Sequence, residues 1–180
     1  MDLKKYFNNK KVLITGHTGF KGSWLSLWLN YLGAKIIAVS KDIPTKPSHY
    51  ALKKDFYKDN YKFNLSNYNK LNKVINKSKP DFVFHLAAQP IVLDSYKDPY
   101  RTYTSNTFGT LNILESLRIN NHKCTAVIIT SDKCYENINK QVNYRESDRL
   151  GGKDPYSSSK ASAELIIRSY YESFFKNKTS

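Results

Sequence analysis

Five short apolar segments alternate with longer helical patterns, and this alternation limits the fold more than any other feature of the 180-residue chain. The segments are rich in β-branched and aromatic residues and are almost continuously apolar, which is typical of parallel strands buried on both faces. They are KVLIT (11–15), KIIAV (35–39), YKFNL (61–65), DFVFHLA (81–87) and CTAVIIT (124–130).

Helical patterns fill the intervals between these segments, at residues 20–32, 67–78, 99–120 and 156–175. Repeated strand–helix alternation favours right-handed βαβ units and a doubly wound parallel sheet. We therefore predict one Rossmann-type α/β domain over residues 1–180, with strand order 3-2-1-4-5. The polar segment 137–153 is predicted to be a loop over the ligand face.

The composition argues against several other classes of protein. The net charge of +14 comes mostly from lysines scattered among asparagines rather than from arginines, so we expect no nucleic-acid partner. No apolar run reaches the ~20 residues of a membrane span, and the N-terminus lacks the apolar core of a signal peptide. Cys124 and Cys134 do not form a CxxC pair, so we expect no disulfide, no metal site and a cytoplasmic location.

The stretch TGHTGFKGSW follows the first predicted strand directly and contains Gly16, Gly19 and Gly22 in the pattern GxxGxxG. Between a strand and a helix, Gly16 permits a tight turn, Gly19 allows a pyrophosphate to approach the backbone, and Gly22 allows close helix packing. The N-terminus of the following helix offers unpaired N–H groups and a positive dipole end to phosphates. This stretch predicts dinucleotide binding.

Other strand ends supply further candidates for contacts with the cofactor. The second segment ends in Ser40 and Lys41, where an acidic residue usually binds an unphosphorylated ribose. Ser40 could bind a ribose hydroxyl and Lys41 could tolerate a 2′-phosphate, so the spacing leaves both NAD and NADP open. Asn64 is a candidate for adenine contact at the end of the third segment. The small residues of LAA, after the fourth segment, either lie against the cofactor or serve only helix–sheet packing.

Two groups of polar residues point to a hydride-transfer site. The last helical pattern begins DPYSSSKASAE, which places Tyr156 and Lys160 four residues apart on one helix face. A lysine ammonium lowers the pKa of a nearby phenol, and the phenolate can then remove a hydroxyl proton as hydride leaves. The fifth segment ends in Ser131, Asp132 and Lys133, at the sheet edge where ligands bind. Each pattern is common by chance, but together they predict convergence on one substrate.

Four stretches carry a resemblance to a known family: VLITGHTGFKGSWLSLWL, FVFHLAAQPIV, TSDKCYEN and YRESDRLGGKDPYSSSKASAEL. Over almost its whole length the chain resembles the extended short-chain dehydrogenases/reductases of the NAD-dependent epimerase/dehydratase group, and among them the CDP-glucose 4,6-dehydratases. Related sugar dehydratases usually carry an acidic residue where this chain has Lys133. The resemblance implies NAD as cofactor and a nucleotide sugar as substrate, in deoxysugar synthesis for surface polysaccharides such as lipopolysaccharide O-antigen.

The resemblance also implies a role for each candidate residue. Tyr156, supported by Lys160 and Ser131, takes the proton of the sugar 4-hydroxyl while NAD⁺ accepts hydride from C4. Water is then lost across C5–C6, and hydride returns to C6 to give CDP-4-keto-6-deoxyglucose. Asp132 and Lys133 act as acid and base in the elimination, in an order that stays open. The implied cofactor-binding residues are Gly16, His17, Thr18, Gly19, Phe20, Gly22, Ser40, Asn64, Leu86, Ala87, Ala88, Ser105, Tyr156 and Lys160.

Two features depart from the family pattern. Leu93 occupies a position that is usually basic, and the chain resembles only the N-terminal half of family members, which continue with a domain that grips the nucleotide sugar. We therefore expect the isolated chain to bind NAD weakly and to show little dehydratase turnover. Another nucleotide-sugar enzyme, such as an epimerase, and a non-catalytic dinucleotide-binding module are the alternatives. The family also implies a homodimer through helices 99–120 and 156–175.

Overall fold

A computed structural model of the chain describes residues 2–52, 56–138 and 143–176. Its five parallel strands form one sheet in the order β3-β2-β1-β4-β5, which confirms the predicted topology. The strands are β1 (Lys11–Thr15), β2 (Lys35–Ser40), β3 (Tyr57–Lys62), β4 (Phe82–His85) and β5 (Thr125–Ile128).

Seven α-helices connect or flank the strands in the described parts of the chain. They are α1 (Leu3–Phe7), α2 (Phe20–Tyr31), α3 (Tyr68–Ser78), α4 (Val92–Lys97), α5 (Pro99–Tyr103), α6 (Gly109–Asn120) and α7 (Pro155–Tyr170). Short 3₁₀ turns occur at His49–Leu52 and Asp132–Cys134, and π-helical turns follow α5 and α7 at Thr104–Phe108 and Tyr171–Phe175.

The helix ends follow local side-chain chemistry. Asn67 and Asp154 cap α3 and α7 by accepting hydrogen bonds from backbone N–H groups in the first turn of each helix. Such caps satisfy donors that the helix itself leaves unpaired. Pro155 stands at the first position of α7, where its missing N–H has no consequence and its fixed φ suits the helix. The predicted helix that carries Tyr156 therefore begins where the sequence DP places it.

The central strand β1 separates two apolar clusters. Leu13 packs on one face with residues of β2, α3 and α6, whereas Val12 and Ile14 pack on the other face with Leu29 of α2. All four side chains are buried. Because alternate side chains of a strand point to opposite faces, a continuously apolar strand such as β1 is covered by helices on both sides. Because all the strands are parallel, the C-terminal ends of β1, β2, β4 and β5 lie along the same side of the sheet, where the strands end.

Three predicted elements differ from the observed ones, and one of them is the predicted helix 156–175, which ends as an α-helix at Tyr170 and continues as a π-helical turn to Phe175. The third strand is Tyr57–Lys62 rather than 61–65, and its burial alternates because it is an edge strand with one face toward solvent. The apolar run YKFNL marks instead a segment, including Phe63 and Leu65, that packs on the core after the strand ends. The predicted helix 99–120 is interrupted by the π-helical turn, which inserts one extra residue into the helical repeat.

The other edge of the sheet is more open. Three of the four residues of β5 are exposed, and exposed apolar side chains include Val127 and, just after the strand, Ile129. Beyond β5 the chain turns back on itself, with an antiparallel bridge between Tyr135 and Leu150 and stacked rings of Tyr135 and Tyr144. This is the predicted loop 137–153, of which residues 139–142 lie outside the described part of the chain.

Candidate active site

The turn from β1 to α2 is built so closely that two of its glycines have no room for a side chain. Gly16 has φ +77°, and its N–H donates to the Val39 carbonyl at 2.8 Å. A Cβ on Gly16 would lie 2.7 Å from the backbone nitrogen of Ala87. A Cβ on Gly22 would overlap the Gly16 carbonyl oxygen. The turn therefore touches the end of β4 on one side and the first turn of α2 on the other, and only glycine fits either contact.

The N-terminus of α2 is available to an anion. Gly19 is its N-cap and supplies no side-chain hydrogen bond, so the N–H groups of the first helical turn keep their donor capacity. Ser23 directs its hydroxyl back to the Phe20 carbonyl at 2.9 Å, and the Phe20 ring itself is exposed. Glycine turn, uncapped N–H groups and helix dipole together form a phosphate cradle, which fits the pyrophosphate of a dinucleotide.

Ser40 at the end of β2 is tied to the glycine turn. Its Oγ lies 2.9 Å from Nδ1 of His17 and 3.4 Å from the backbone nitrogen of Thr18. Thr18 in turn donates through Oγ1 to the Asp42 carbonyl at 2.6 Å. His17 is buried between the rings of Tyr50 and Tyr57, and burial lowers its pKa to about 4. Ser40 Oγ accepts the Thr18 N–H and places a hydroxyl at the end of β2, where a ribose hydroxyl can bind.

The remaining predicted cofactor residues lie at three places. Leu86 and Ala87 extend β4 along β1, with their N–H groups donating to the Thr15 carbonyl at 3.1 Å and to Thr15 Oγ1 at 3.3 Å. Ala88 follows them and is half-buried. Ser105 lies in the π-helical turn and is also half-buried. Asn64 accepts the Ser66 N–H at 3.1 Å, so its amide oxygen is engaged in its own turn.

The polar end of β5 forms a short capped turn. Ser131 caps the 3₁₀ turn Asp132–Cys134 by accepting from the Lys133 N–H at 3.2 Å, and its hydroxyl donates to Asp132 at 3.2 Å. The side chains of Asp132 and Lys133 are exposed. The described residues therefore do not shield the Lys133 ammonium from water. The turn packs against α7.

Helix α7 brings Tyr156 and Lys160 to this turn. Both side chains are buried, and Nζ of Lys160 donates to the Ile129 carbonyl of the same strand end at 3.3 Å. Burial lowers the pKa of Lys160 to about 8, and the nearby carboxylate of Glu164 opposes that decrease. The helix end and the strand end are thus in contact as predicted from the sheet topology. That the hydroxyls of Tyr156 and Ser131 share one substrate hydroxyl stays a prediction.

Comparison with known proteins agrees with this geometry. The sequence profile of the GDP-mannose 4,6 dehydratase family matches residues 13–177. The chain belongs to this family. The CDP-glucose 4,6-dehydratase of Salmonella typhimurium strain LT2 is 43% identical to it over 173 residues, which cover 96% of this chain and 48% of that enzyme.

Two solved structures show that this family member is similar to known proteins in its fold as well as in its sequence. The dTDP-glucose 4,6-dehydratase of Bacillus anthracis in complex with NAD is 27% identical with a TM-score of 0.72, over 91% of this chain and 50% of that one. The UDP-glucose 4-epimerase of Thermus thermophilus in complex with NAD is 25% identical with a TM-score of 0.79, over 91% and 51%. The chain spans about half the length of the curated relatives it matches, from 41% to 54% for the first three.

A buried hydrogen-bonded chain behind the site was not predicted from the sequence of this family member. His85 lies between Thr15 Oγ1, 2.6 Å from Nδ1, and Thr110 Oγ1, 3.3 Å from Nε2. Thr110 gives its own proton to the Asn106 carbonyl at 2.7 Å, so Nε2 of His85 is the donor and Nδ1 accepts from Thr15. Burial, with the nearby charge of Lys160, lowers the pKa of His85 to about 3. The imidazole is therefore neutral.

Asn106 and Glu164 are the other residues that sequence reasoning missed. Asn106 is buried in the π-helical turn, where its side chain bonds both the Gln89 backbone and Ser159 Oγ of α7. Glu164 accepts a hydrogen bond from Thr130, next to the catalytic candidate Ser131. The one available signal was an acidic residue four positions after Lys160.

Within residues 2–52, 56–138 and 143–176, no group of three or more histidine, cysteine or acidic side chains could hold a metal ion. In the same residues, no helix is long and apolar enough to cross a bilayer.

Proposed function

We propose that this chain carries the NAD-binding and catalytic residues of a CDP-glucose 4,6-dehydratase, and that residues 1–180 make up one nucleotide-binding domain in the cytoplasm. The observation that carries the proposal is the packing of the turn Ser131–Lys133 against α7 beside Tyr156 and Lys160. The identity of 43% with a CDP-glucose 4,6-dehydratase supports this substrate over other nucleotide sugars.

The cofactor is NAD in this proposal, as in the two solved relatives with bound NAD. The phosphate cradle at Gly16–Gly22 fits its pyrophosphate, and Ser40 at the end of β2 supplies a hydroxyl that can bind a ribose hydroxyl. When bound, NAD would accept hydride from C4 of the sugar and return it to C6.

The residues of this chain perform the proton transfers. Tyr156 removes the proton of the 4-hydroxyl, and the partly neutral Lys160 beside it holds the helix on the strand end and stabilises phenolate when protonated. Loss of the C5 proton and of the 6-hydroxyl as water requires one base and one acid, which we assign to the pair Asp132 and Lys133. Both are exposed, so bound substrate must exclude water from them.

The supply of a deoxysugar for surface polysaccharides such as lipopolysaccharide O-antigen follows as the biological role in this proposal. A homodimer through α6 and α7, with the π-helical turns next to them, belongs to the same proposal. Exposed Phe108 and Leu165 on this side of the molecule support it.

The test uses Tyr156→Phe. NAD binding is measured by calorimetry, and dehydratase turnover on CDP-glucose is measured by the alkali-induced absorbance of a 4-keto-6-deoxy sugar, with and without a separately expressed C-terminal half. We expect Tyr156→Phe to lower turnover by about 10²–10⁴-fold while NAD binding persists. The matched control, Tyr100→Phe, removes the same hydroxyl from an exposed position outside the site.

Three outcomes would contradict the proposal. The first is an absence of NAD binding at millimolar concentration, and the second is a loss of turnover in Tyr100→Phe equal to that in Tyr156→Phe. The third is formation of a C4 epimer of the sugar without the alkali-induced absorbance, which would favour the epimerase alternative.

A further inference from the structure

The outward face of α2 is an aromatic stripe formed by Phe20, Trp24, Trp28 and Tyr31. Their spacing of four, four and three residues places them in one row along the helix. Their side chains are 78%, 51%, 52% and 81% exposed, respectively. Among the exposed positions of the helix, only Lys21 is not aromatic. A helix that faced only water would carry charged and polar residues on this side.

The fold does not need the aromatic stripe. The opposite face of α2 buries Gly22, Ser26 and Leu29 against β1 and β2, and this contact already covers the sheet. Single exposed apolar side chains are common, but a continuous row of four aromatic rings is large for a monomer surface. Abundant aromatics and few charges are the composition of the core of a protein–protein interface. The row therefore indicates a binding surface.

One member of the aromatic stripe is held in place before any partner binds. The indole of Trp24 stacks on the imidazole of His49 with the ring centres 4.0 Å apart and the planes at 16°. His49 is itself fixed, since its Nδ1 lies 2.9 Å from Ser23 Oγ. A rigid aromatic side chain loses little conformational freedom on association, and tryptophan is enriched among the residues that dominate interface energies.

We propose that the aromatic stripe is a self-association surface, on which α2 of a second copy packs antiparallel with Trp24 of one copy against Trp28 of the other. In that arrangement Phe20 lies opposite Tyr31, so the stripe is its own complement about a two-fold axis. This surface is distinct from α6 and α7, which pack on the other side of the sheet.

Area and charge favour a second copy over a lipid surface. Aromatic side chains present about 150–250 Å² each, so four that are half to four-fifths exposed offer on the order of 500 Å². That is more than half of the ~800 Å² that one partner contributes to a standard interface. A helix that lies on a membrane carries many lysines or arginines along its polar face, whereas α2 carries only Lys21. A nearly uncharged face also lets two copies of a +14 chain meet with little repulsion.

Sedimentation equilibrium of the 180-residue chain tests the proposal. We expect the wild-type chain to self-associate and Trp28→Glu to weaken association by about tenfold or more. Phe108→Glu places the same charge on an exposed ring near α6, and it should leave the α2 contact intact. An isologous contact makes a sharper demand, which is tested in the Phe108→Glu background so that the proposed contact through α6 and α7 is removed: there Trp24→Glu and Trp28→Lys should each fail to self-associate, whereas their mixture should associate through one Glu–Lys pair.

Circular dichroism establishes that each variant is folded. Since Trp24 stacks on His49, a second pair at the ends of the stripe, Phe20→Glu with Tyr31→Lys, repeats the mixing test without that contact. The proposal is overturned by a monomeric wild-type chain at high micromolar concentration, or by association that survives Trp28→Glu and is lost in Phe108→Glu. Binding of the stripe to phosphatidylserine vesicles without self-association would also overturn it.

Discussion

The glycine turn and the turn Ser131–Cys134 lie at the same edge of the sheet, yet their surroundings differ. In the first, Gly16 and Gly22 contact backbone atoms, and Ser40, His17 and Thr18 form a buried hydrogen-bonded cluster. In the second, the carboxylate of Asp132 and the ammonium of Lys133 are exposed, and the strand before them is the open edge of the sheet.

The cofactor-binding groups are therefore fixed by the described residues, whereas the described residues leave the reacting groups Asp132 and Lys133 open to solvent. The glycine turn is held by β1, β2, β4 and α2, which all lie in the described part of the chain. The catalytic turn packs on α7, and its Cys134 carbonyl accepts the Gly151 N–H, but the side chains of Asp132 and Lys133 stay exposed. A site in which acid and base stay solvated has weaker electrostatic interactions than a closed one. We infer that the cofactor end is preorganised and that the catalytic end requires further cover.

The largest expected effect is on folding, through Gly22→Ala. Its Cβ would overlap the Gly16 carbonyl oxygen and lie 2.9 Å from the His17 Cα, and both are backbone atoms that cannot rotate away. We expect a loss of about 3 kcal/mol or more in the free energy of unfolding. Urea unfolding followed by circular dichroism measures it.

Gly109→Ala is the matched control, since it is also a buried helical glycine. A Cβ there would meet Leu65 Cβ at 3.8 Å and the Thr104 carbonyl oxygen at 3.9 Å, which are ordinary contacts. Alanine should leave stability unchanged or raise it by up to about 1 kcal/mol. Equal changes in the free energy of unfolding for the two substitutions would show that the glycine turn is not tightly packed.

Acid should weaken the cofactor end through its two buried histidines. Burial lowers the pKa of His17 to about 4 and that of His85 to about 3, from 6.5 in the unfolded chain. The unfolded chain then binds more protons, so the stabilisation is complete above pH 6.5 and is lost as the pH falls toward these values. By about pH 5 the loss is roughly 2 kcal/mol for each histidine.

Urea unfolding at neutral pH and at about pH 5 measures this loss, and the slope against pH rather than the stability itself is the readout. His17→Gln and His85→Gln should each reduce the slope, whatever they do to stability at neutral pH. A variant that is less stable but keeps the wild-type slope would show that its histidine is not the titrating group.

Much of the fold could be predicted from the sequence because β1, β2 and β4 are buried on both faces. A buried parallel strand is apolar at nearly every position, and KVLIT and KIIAV show this in the runs VLI and IIAV. The edge strand β3 escaped the same reasoning because YKDNYK alternates, and the apolar run next to it belongs to the core contact after the strand. Pattern reasoning thus located buried strands better than edge strands.

The site divides in the same way. Gly16 and Gly22 could be identified because a turn without room for Cβ leaves a repeated glycine signature. Tyr156 and Lys160 were accessible because helical spacing places them on one face. The link from Thr15 through His85 to Thr110 and Asn106 joins residues up to 95 apart in sequence number only through tertiary contacts. No local pattern records such a link, so it required the structure.

The smallest expected effect is on the proton affinity of Lys160, through Glu164→Gln. Glu164 accepts a hydrogen bond from Thr130 and its carboxylate raises the pKa of Lys160 against the larger lowering effect of burial. Glutamine keeps the hydrogen-bond acceptor for Thr130 but removes the charge, so the pKa of Lys160 should fall further below about 8, by on the order of one unit.

Glu115→Gln serves as the control, because Glu115 is paired with Arg118 and accepts a hydrogen bond from Tyr170. The lysine side-chain resonances, titrated by NMR in the free chain, give the answer without requiring turnover. An unchanged pKa of Lys160 in Glu164→Gln would mean that the carboxylate of Glu164 has no effect on it and that burial determines its value. Packing would then determine the proton affinity of Lys160, as it determines the geometry of the glycine turn. The two regions would differ only in the exposed side chains of Asp132 and Lys133.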